Sequence, residues 1–414
     1  MSELYELPDG WGWTNFKDSL YLTDFVANGS FASLKENVSY LNKKDYAILV
    51  RLKDFSNKWN GDYVYVDKHS YDFLSKSSLN ENDIMMCNVG SVGLHFRVPN
   101  LGQPMTIGPN SILIRPQIDN LSNSFLYYYF ASNIFKNFLE TIVATTAQPK
   151  FNKTGFKTLS IPLPPLPEQQ RIVSKLDLLF EKIDRSIALH QKNMDEANAF
   201  MGSVLNDVFG ELNTDKTISL KNITKKIGSG STPRGGQKAY KTEGVSLIRS
   251  MNIHDNGFKI KGLAFIDDEQ AKKLDNVTIE ENDVLLNITG ASVARCCIVD
   301  KNYLPARVNQ HVSILRLKNG MIPSFLHYYL ISPSVKSELL FSSSGGATRE
   351  AITKSMLEEF QVPFVSVPIQ QKIVTYLDEI SQKIEKIKQL QKEKMASLKA
   401  LKASILDSAF RGEL

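Results

Sequence analysis

The 414-residue chain predicts an α+β fold in tandem duplicate: two globular α+β domains separated by two long α-helices that form an antiparallel coiled coil, with pseudo-twofold symmetry. Three observations predict it. The same ordered features recur at a nearly constant offset. Two segments of about 40 residues each carry apolar residues at alternating steps of three and four, with no internal break. The remainder consists of short apolar runs bounded by turn residues, which is how strands read.

The repeat comes first because it divides the chain. "NDIMMCNVG", Asn82 to Gly90, is echoed by "NDVLLNITG", Asn282 to Gly290, an offset of 200 from 282 against 82. "SFLYYYF" from Ser124 matches "SFLHYYL" from Ser324 at the same offset. Pro167 stands before "EQQRIV" and Pro368 ahead of "QQKIV"; the halves finish "VFGEL" at Leu212 and "AFRGEL" at Leu414. The expected division is residues 1–160 for the first domain, 161–212 for its helical region, 213–361 for the second domain and 362–414 for the second helical region.

The long helices are expected over 168–209 and 369–410. Ile172, Leu176, Leu179 and Ile183 begin one seam; Ile373, Leu377, Ile380 and Ile384 begin the other. A helix of this length, roughly 60 Å at 1.5 Å per residue, cannot bury its own seam, so the other copy is its expected partner. The run "PLPPLPEQQ", Pro162 to Gln170, leads stiffly out of the first domain, and Pro167 suits the first turn of a helix, where no N–H is needed. Strands are expected at Tyr46–Leu52, Ser111–Pro116, Val245–Ser250 and Val312–Leu317, and one helix in each domain at 124–139 and 324–340.

Composition bounds the function. The balance of 49 basic and 44 acidic residues, net +5, permits a polyanionic partner without demanding one. Cys87, Cys296 and Cys297 lack C-x-x-C spacing, so neither a disulfide framework nor a metal site is expected, and a cytoplasmic location fits. No leader or membrane span is expected. Catalytic signatures are missing. "GSGSTPRGG", Gly228 to Gly236, has glycine where a phosphate-binding loop has lysine, and neither G-x-S-x-G nor H-E-x-x-H occurs. The six histidines, at 69, 95, 190, 254, 311 and 327, lack ligand spacing and read as structural.

Nucleic-acid binding is better supplied. "STPRGGQKAYK" places Arg234, Lys238, Tyr240 and Lys241 on a glycine-rich loop that can approach phosphates. "ATTAQPKFNKTG" and "SSGGATREAITKS" hold equivalent repeat positions with different contents: Gln148, Lys150, Asn152 and Lys153 against Thr348 and Arg349. Arginine suits guanine while asparagine and glutamine suit adenine, so similar frames with different contents are what two readers of different sequences need. The cluster Tyr127, Tyr128 and Tyr129 reads as core.

Taken together, "LPDGWGW" at the start, "GSGSTP" opening the second domain, "PLPPLPEQQRIVSKLDLLFEKID" and "VPIQQKIVTYLDEISQKIEKI" with its "AFRGEL" terminus resemble the specificity (S) subunit of type I restriction-modification systems. The first domain offers "VANGSF" in place of "GSGSTP", and the second has no "LPDGW". The resemblance implies a non-catalytic reader of double-stranded DNA. Each domain would be a target-recognition domain reading one half of a bipartite, asymmetric site. The helical pair would set the spacing and dock two methyltransferase (M) subunits, with restriction (R) subunits completing the complex. S-adenosylmethionine, and ATP with Mg²⁺, would then belong to those partners rather than to this chain. In keeping with that, the chain has no Asn-Pro-Pro-Tyr or Asp-Pro-Pro-Tyr tetrapeptide. The alternatives are a stand-alone DNA-binding regulator or adaptor, and an enzyme with an unrecognised site in one domain.

Overall fold

The structure is a computed structural model, and it describes residues 5–144, 147–212, 216–343 and 351–414. The chain divides into two compact units, Met1–Leu189 with Glu393–Leu414, and His190–Lys392.

In the first unit an antiparallel sheet runs in the order Leu20–Asp24, Ser111–Pro116, Ile84–Cys87, His95–Arg97. A second sheet contains Val64–Val66, Ala47–Val50, Met105–Ile107 and Ser78–Leu79, with one parallel pairing between Ala47–Val50 and Met105–Ile107. The period of two sorts the central strands. Ile84, Met86, Ile112 and Ile114 face an aromatic core, while Met85 and Leu113 face a second core formed with Ala47–Val50. Burial on both faces is why "SILIRP" reads as an unbroken apolar run. Phe16 is fully buried in the aromatic core, 5.0 Å from the Phe156 ring and 6.0 Å from the Phe130 ring.

The second unit repeats the plan. Its antiparallel sheet runs Thr224–Ser229, Val312–Leu317, Val284–Asn287, Cys296–Ile298, and a three-stranded sheet runs Ala264–Ile266, Val245–Ile248, Ala306–Val308. In each unit an aspartate just ahead of the apolar strand is pinned by an arginine from the neighbouring strand. Asp83 accepts from Arg115 Nε at 2.6 Å, and Asp283 accepts from Arg316 Nε and Nη2 at 2.9 and 2.8 Å. Both carboxylates are buried, and each also caps its own turn, at the Asn80 and Glu280 N–H groups.

The long helices are Leu166–Gly210 and Val367–Arg411. They pair antiparallel within each unit. In the first, Arg171 donates to the Leu414 carbonyl at 2.8 Å and Lys402 meets Asp184 at 2.7 Å, so one helix is read forwards as the other is read backwards. In the second, Val204 and Leu205 cluster with Leu377, and His190 meets Gln391 at 2.5 Å. The seam has more than one partner. Ile172, Leu176 and Ile183, with Leu179 partly buried, share a core with head residues Phe125 and Tyr129 as well as with Leu406 and Phe410 of the other helix. Ile373, Leu377 and Ile380 likewise pack with Tyr328 of the second head, and Ile384 is buried. The other copy is therefore only part of what buries these helices.

The first glutamine after each junction proline holds its helix to its head. The buried Gln169 accepts from the Ser122 N–H at 2.8 Å and donates to the Asn120 and Pro164 carbonyls at 2.7 and 2.8 Å. Gln370 repeats all three, accepting from the Ile322 N–H at 2.8 Å and donating to the Gly320 and Val365 carbonyls at 2.9 Å each. Three bonds satisfy an amide that would otherwise be costly to bury.

One expectation is corrected. The single helix read near 124–139 is two, Asn123–Ala131 and Asn133–Glu140, and that near 324–340 is Pro323–Ile331 followed by Pro333–Ser343. Ser132 is extended, at φ −70° and ψ 154°, and its hydroxyl accepts from the Phe135 N–H at 3.1 Å, so it ends one helix while starting the next. The Asn133 N–H then donates to Asp407 of the second long helix at 2.9 Å, just as the Ser334 N–H donates to Asn206 of the first at 3.1 Å.

Candidate nucleic-acid interface

In the second head the loop after strand Thr224–Ser229 is shaped by Gly230. A Cβ there would lie 1.8 Å from the Val308 carbonyl oxygen, closer than any side chain tolerates. The close approach lets the Gly230 N–H donate to the Asn309 carbonyl at 3.1 Å. From this anchor a string of side chains runs outward. Thr232 bonds Gln310, Gln310 lies 3.1 Å from His311 Nε2, and His311 Nδ1 lies 2.5 Å from the Thr289 hydroxyl. Thr289 belongs to the "NITG" turn, whose Gly290 sits at φ +78° and whose Ile288 carbonyl accepts from the Ile352 N–H at 2.8 Å. The glycine-rich loop, the turn and the downstream flank of "SSGGATRE" thus share one surface.

The first head builds the equivalent surface with other residues. Its "NVG" turn has Gly90 at φ +79°, whose N–H donates to the Pro149 carbonyl at 2.9 Å, and the Asn88 carbonyl accepts from the Phe151 N–H at 3.1 Å. Lys150 bridges Val89 here as Ala351 bridges Thr289 in the second head. The buried Phe151 fixes the loop, leaving Gln148 and Lys150 exposed beside it.

The candidate residues separate into two groups. Arg234 and Lys238 are exposed and form no ion pair among the described residues. Lys241 instead pairs with Asp267 at 3.3 Å, and the Tyr240 ring lies 5.0 Å beneath the Arg249 guanidinium. Asn152 caps the turn Lys153–Phe156 by accepting from the Gly155 N–H at 2.7 Å, while Lys153 pairs with Asp24 at 2.8 Å. These four have structural work within their heads. Thr348 and Arg349 lie outside the described residues. A cavity of about 570 Å³ beside the loop is lined by Arg234 and Lys273 but also by Asp267 and Glu269, so its charges balance and it makes a poor phosphate seat. Bonding from the Gln270 N–H, with Lys241 nearby, holds the Asp267 carboxyl below its usual range.

The tyrosines are structural. Tyr129 is fully buried and donates to the Ser160 carbonyl at 2.6 Å, Tyr128 donates to Asp177 of the first long helix, and Tyr328 donates to Asp378 of the second at 2.7 Å. Burial lowers the His95 and His327 pKa values, keeping both rings neutral near pH 7, and pushes the Cys297 thiol up to about 12. Among the described residues no group of three or more metal-ligating side chains converges, and no helix is long and apolar enough to cross a membrane.

The fold and the shared surface define a duplicated α+β protein, each head presenting a turn and a loop of its own on a common frame. The model of the type I restriction modification DNA specificity domain matches residues 29–198 and 213–394, and the chain belongs to that family. Among its relatives are the EcoBI specificity subunit of Escherichia coli, 25% identical over 94% of this chain and 85% of that one, and the MjaX putative specificity subunit of Methanocaldococcus jannaschii, 25% identical over 96% and 93%. A solved structure described under complex assembly and conformational transition of the type I R-M system superposes with a TM-score of 0.71 at 22% identity, covering 99% of this chain and all of that one. The HsdS subunit of Thermoanaerobacter tengcongensis gives 0.51 at 22% identity over 99% of both. These last two likenesses bear on the fold.

Proposed function

We propose that this chain is the DNA-reading, non-catalytic subunit of a type I restriction-modification enzyme, each head reading one half of a bipartite and asymmetric site. The observation that carries the reading is the shared frame with unlike contents. Lys150 and Ala351 take the same place on the two turns, while the loops that they anchor carry different residue types there, Gln148 and Lys150 against Arg349 and Ala351. The helical pair would set the distance between half-sites and dock two methyltransferase subunits. Support for docking comes from large apolar side chains exposed on the long helices: Leu178 and Leu401 in the first unit, Phe200, Tyr376 and Leu390 in the second. S-adenosylmethionine, and ATP with Mg²⁺ where restriction subunits join, would be bound by those partners. Such an assembly works in the prokaryotic cytoplasm.

The test separates positioning from reading. With the assembled complex and duplexes carrying each possible half-site, Lys238→Ala should weaken binding about equally for all sequences and reduce the slope of log affinity against log salt by about one. Gln148→Ala should leave the slope alone and relax discrimination in the first half-site only. Equal effects of the two on slope and discrimination would contradict this division.

A further inference from the structure

The two heads differ at the edge of their antiparallel sheets, where the second has a hairpin. After strand Val245–Ile248 the chain makes a hairpin, Ile253–His254 with Gly257–Phe258, and Asp255 at its turn reaches the edge strand. Its carboxylate accepts from the Cys296 N–H at 3.1 Å and pairs with Lys336 on the helix Pro333–Ser343. In the first head the chain takes another course after Ala47–Val50. A short helix, Leu52–Ser56, leads to Trp59, whose ring packs edge-on to Phe96, 5.7 Å away, on the far side of the sheet. Among the described residues no hairpin reaches the edge strand there.

The receiving groups nevertheless remain. Sheet register makes His95 the counterpart of Cys296, because His95 lies opposite Met86 as Cys296 lies opposite Leu286. Lys136 is the fourth residue of its helix, as Lys336 is of its own. Between them opens a cavity of about 850 Å³ lined by Leu94, His95, Phe130, Phe135, Lys136 and Leu139. Lys136 is exposed and forms no ion pair among the described residues. Two residues along the edge strand, on the face of His95, Arg97 stacks over the Tyr127 ring at 4.3 Å, with its Nε and Nη2 buried and without a partner among the described residues. Lys136 and an open strand edge border a largely apolar cavity whose one lining carboxylate is Glu140.

We propose that this cavity docks an acidic β-turn of a partner protein, its aspartate lying between Lys136 and the His95 N–H as Asp255 lies between Lys336 and the Cys296 N–H. Flanking apolar side chains of the turn would cover Phe135 and Leu139. The recognition is a carboxylate held between a lysine and a strand-edge N–H, as in the second head, and it is independent of DNA reading.

The probe is the chain's own turn. A fluorescent peptide of residues 251–260, "MNIHDNGFKI", cyclised to hold the hairpin, is titrated with the full-length protein. Saturable binding is expected, weakened at least about tenfold by Lys136→Ala or by asparagine at the peptide's aspartate. Lys136 is exposed, so the variant should keep its unfolding temperature, and Lys136→Glu should abolish binding. No saturable binding, or binding indifferent to both changes, would overturn the proposal. So would a loss of duplex DNA affinity in Lys136→Ala with peptide binding unchanged, since the lysine would then be a phosphate contact.

Discussion

Arg316→Ala is expected to destabilise the second unit by about 3 kcal/mol, because it strands a charge rather than merely removing a contact. Asp283 is 1% exposed and Arg316 18%, and the guanidinium meets that carboxylate through two nitrogens. It also donates to the half-buried Thr278 carbonyl at 2.8 Å, a bond that the substitution removes as well. Thermal unfolding should show the second transition roughly 6–12 °C lower, given about 2–4 °C per kcal/mol for a unit of this size. The aspartate's bond from the Glu280 N–H survives, which keeps the cost from being larger. Adding Asp283→Asn should recover part of the loss, since a buried amide carries no net charge. Lys68→Ala, which breaks the exposed pair with Asp72, should leave unfolding where it was. If Arg316→Ala moved unfolding no further than Lys68→Ala does, the buried pair would not hold the strands together as described.

Gly230→Ala should silence the second head while sparing the first. The new methyl would sit 1.8 Å from the Val308 carbonyl oxygen and 2.8 Å from its carbon, both backbone atoms that cannot rotate away. The loop must move, breaking the bond to Asn309 and displacing Thr232 from Gln310. Overpacking of this kind costs about 1–3 kcal/mol, and the displaced string of polar side chains is the part of the head proposed to face DNA. Gly228→Ala is the control, since no atom lies within 4 Å of the methyl that it would add. Modification of DNA by the assembled enzyme should fall steeply for Gly230→Ala and hold for Gly228→Ala. Equal activity of the two would mean that the loop's shape is immaterial to recognition.

Much of this architecture could be read from the chain because it is written twice. The identical offset of "NDIMMCNVG" and "SFLYYYF" from their echoes exposed the duplication, and uninterrupted apolar spacing gave both long helices to within two residues of their ends. The break at Ser132 is not legible because a serine inside an apolar run has no fixed backbone preference, and Asp407, which accepts from the first N–H of the next helix, lies far along the chain. Likewise Asn152 matched an adenine reader by side-chain type, whereas its local position, three residues ahead of Gly155, already suited a cap. The holding role of Gln169 has a signal in the sequence, since Gln370 recurs at the same place after Pro368. The string from Thr232 to Thr289 had none. It joins residues 57 apart through Gln310 and His311, and only the folded sheet brings them together.

The central claim is that each head reads its own half-site, and single-molecule mapping of methylated adenines tests it directly. Residues 213–361 are exchanged for the same region of a relative, and methylated sites are compared in cells carrying the parent or the chimera. The expected result is a motif changed in one half only, with the spacer between halves unchanged because both long helices are retained. A motif changed in both halves, or a changed spacer with both helices intact, would contradict it.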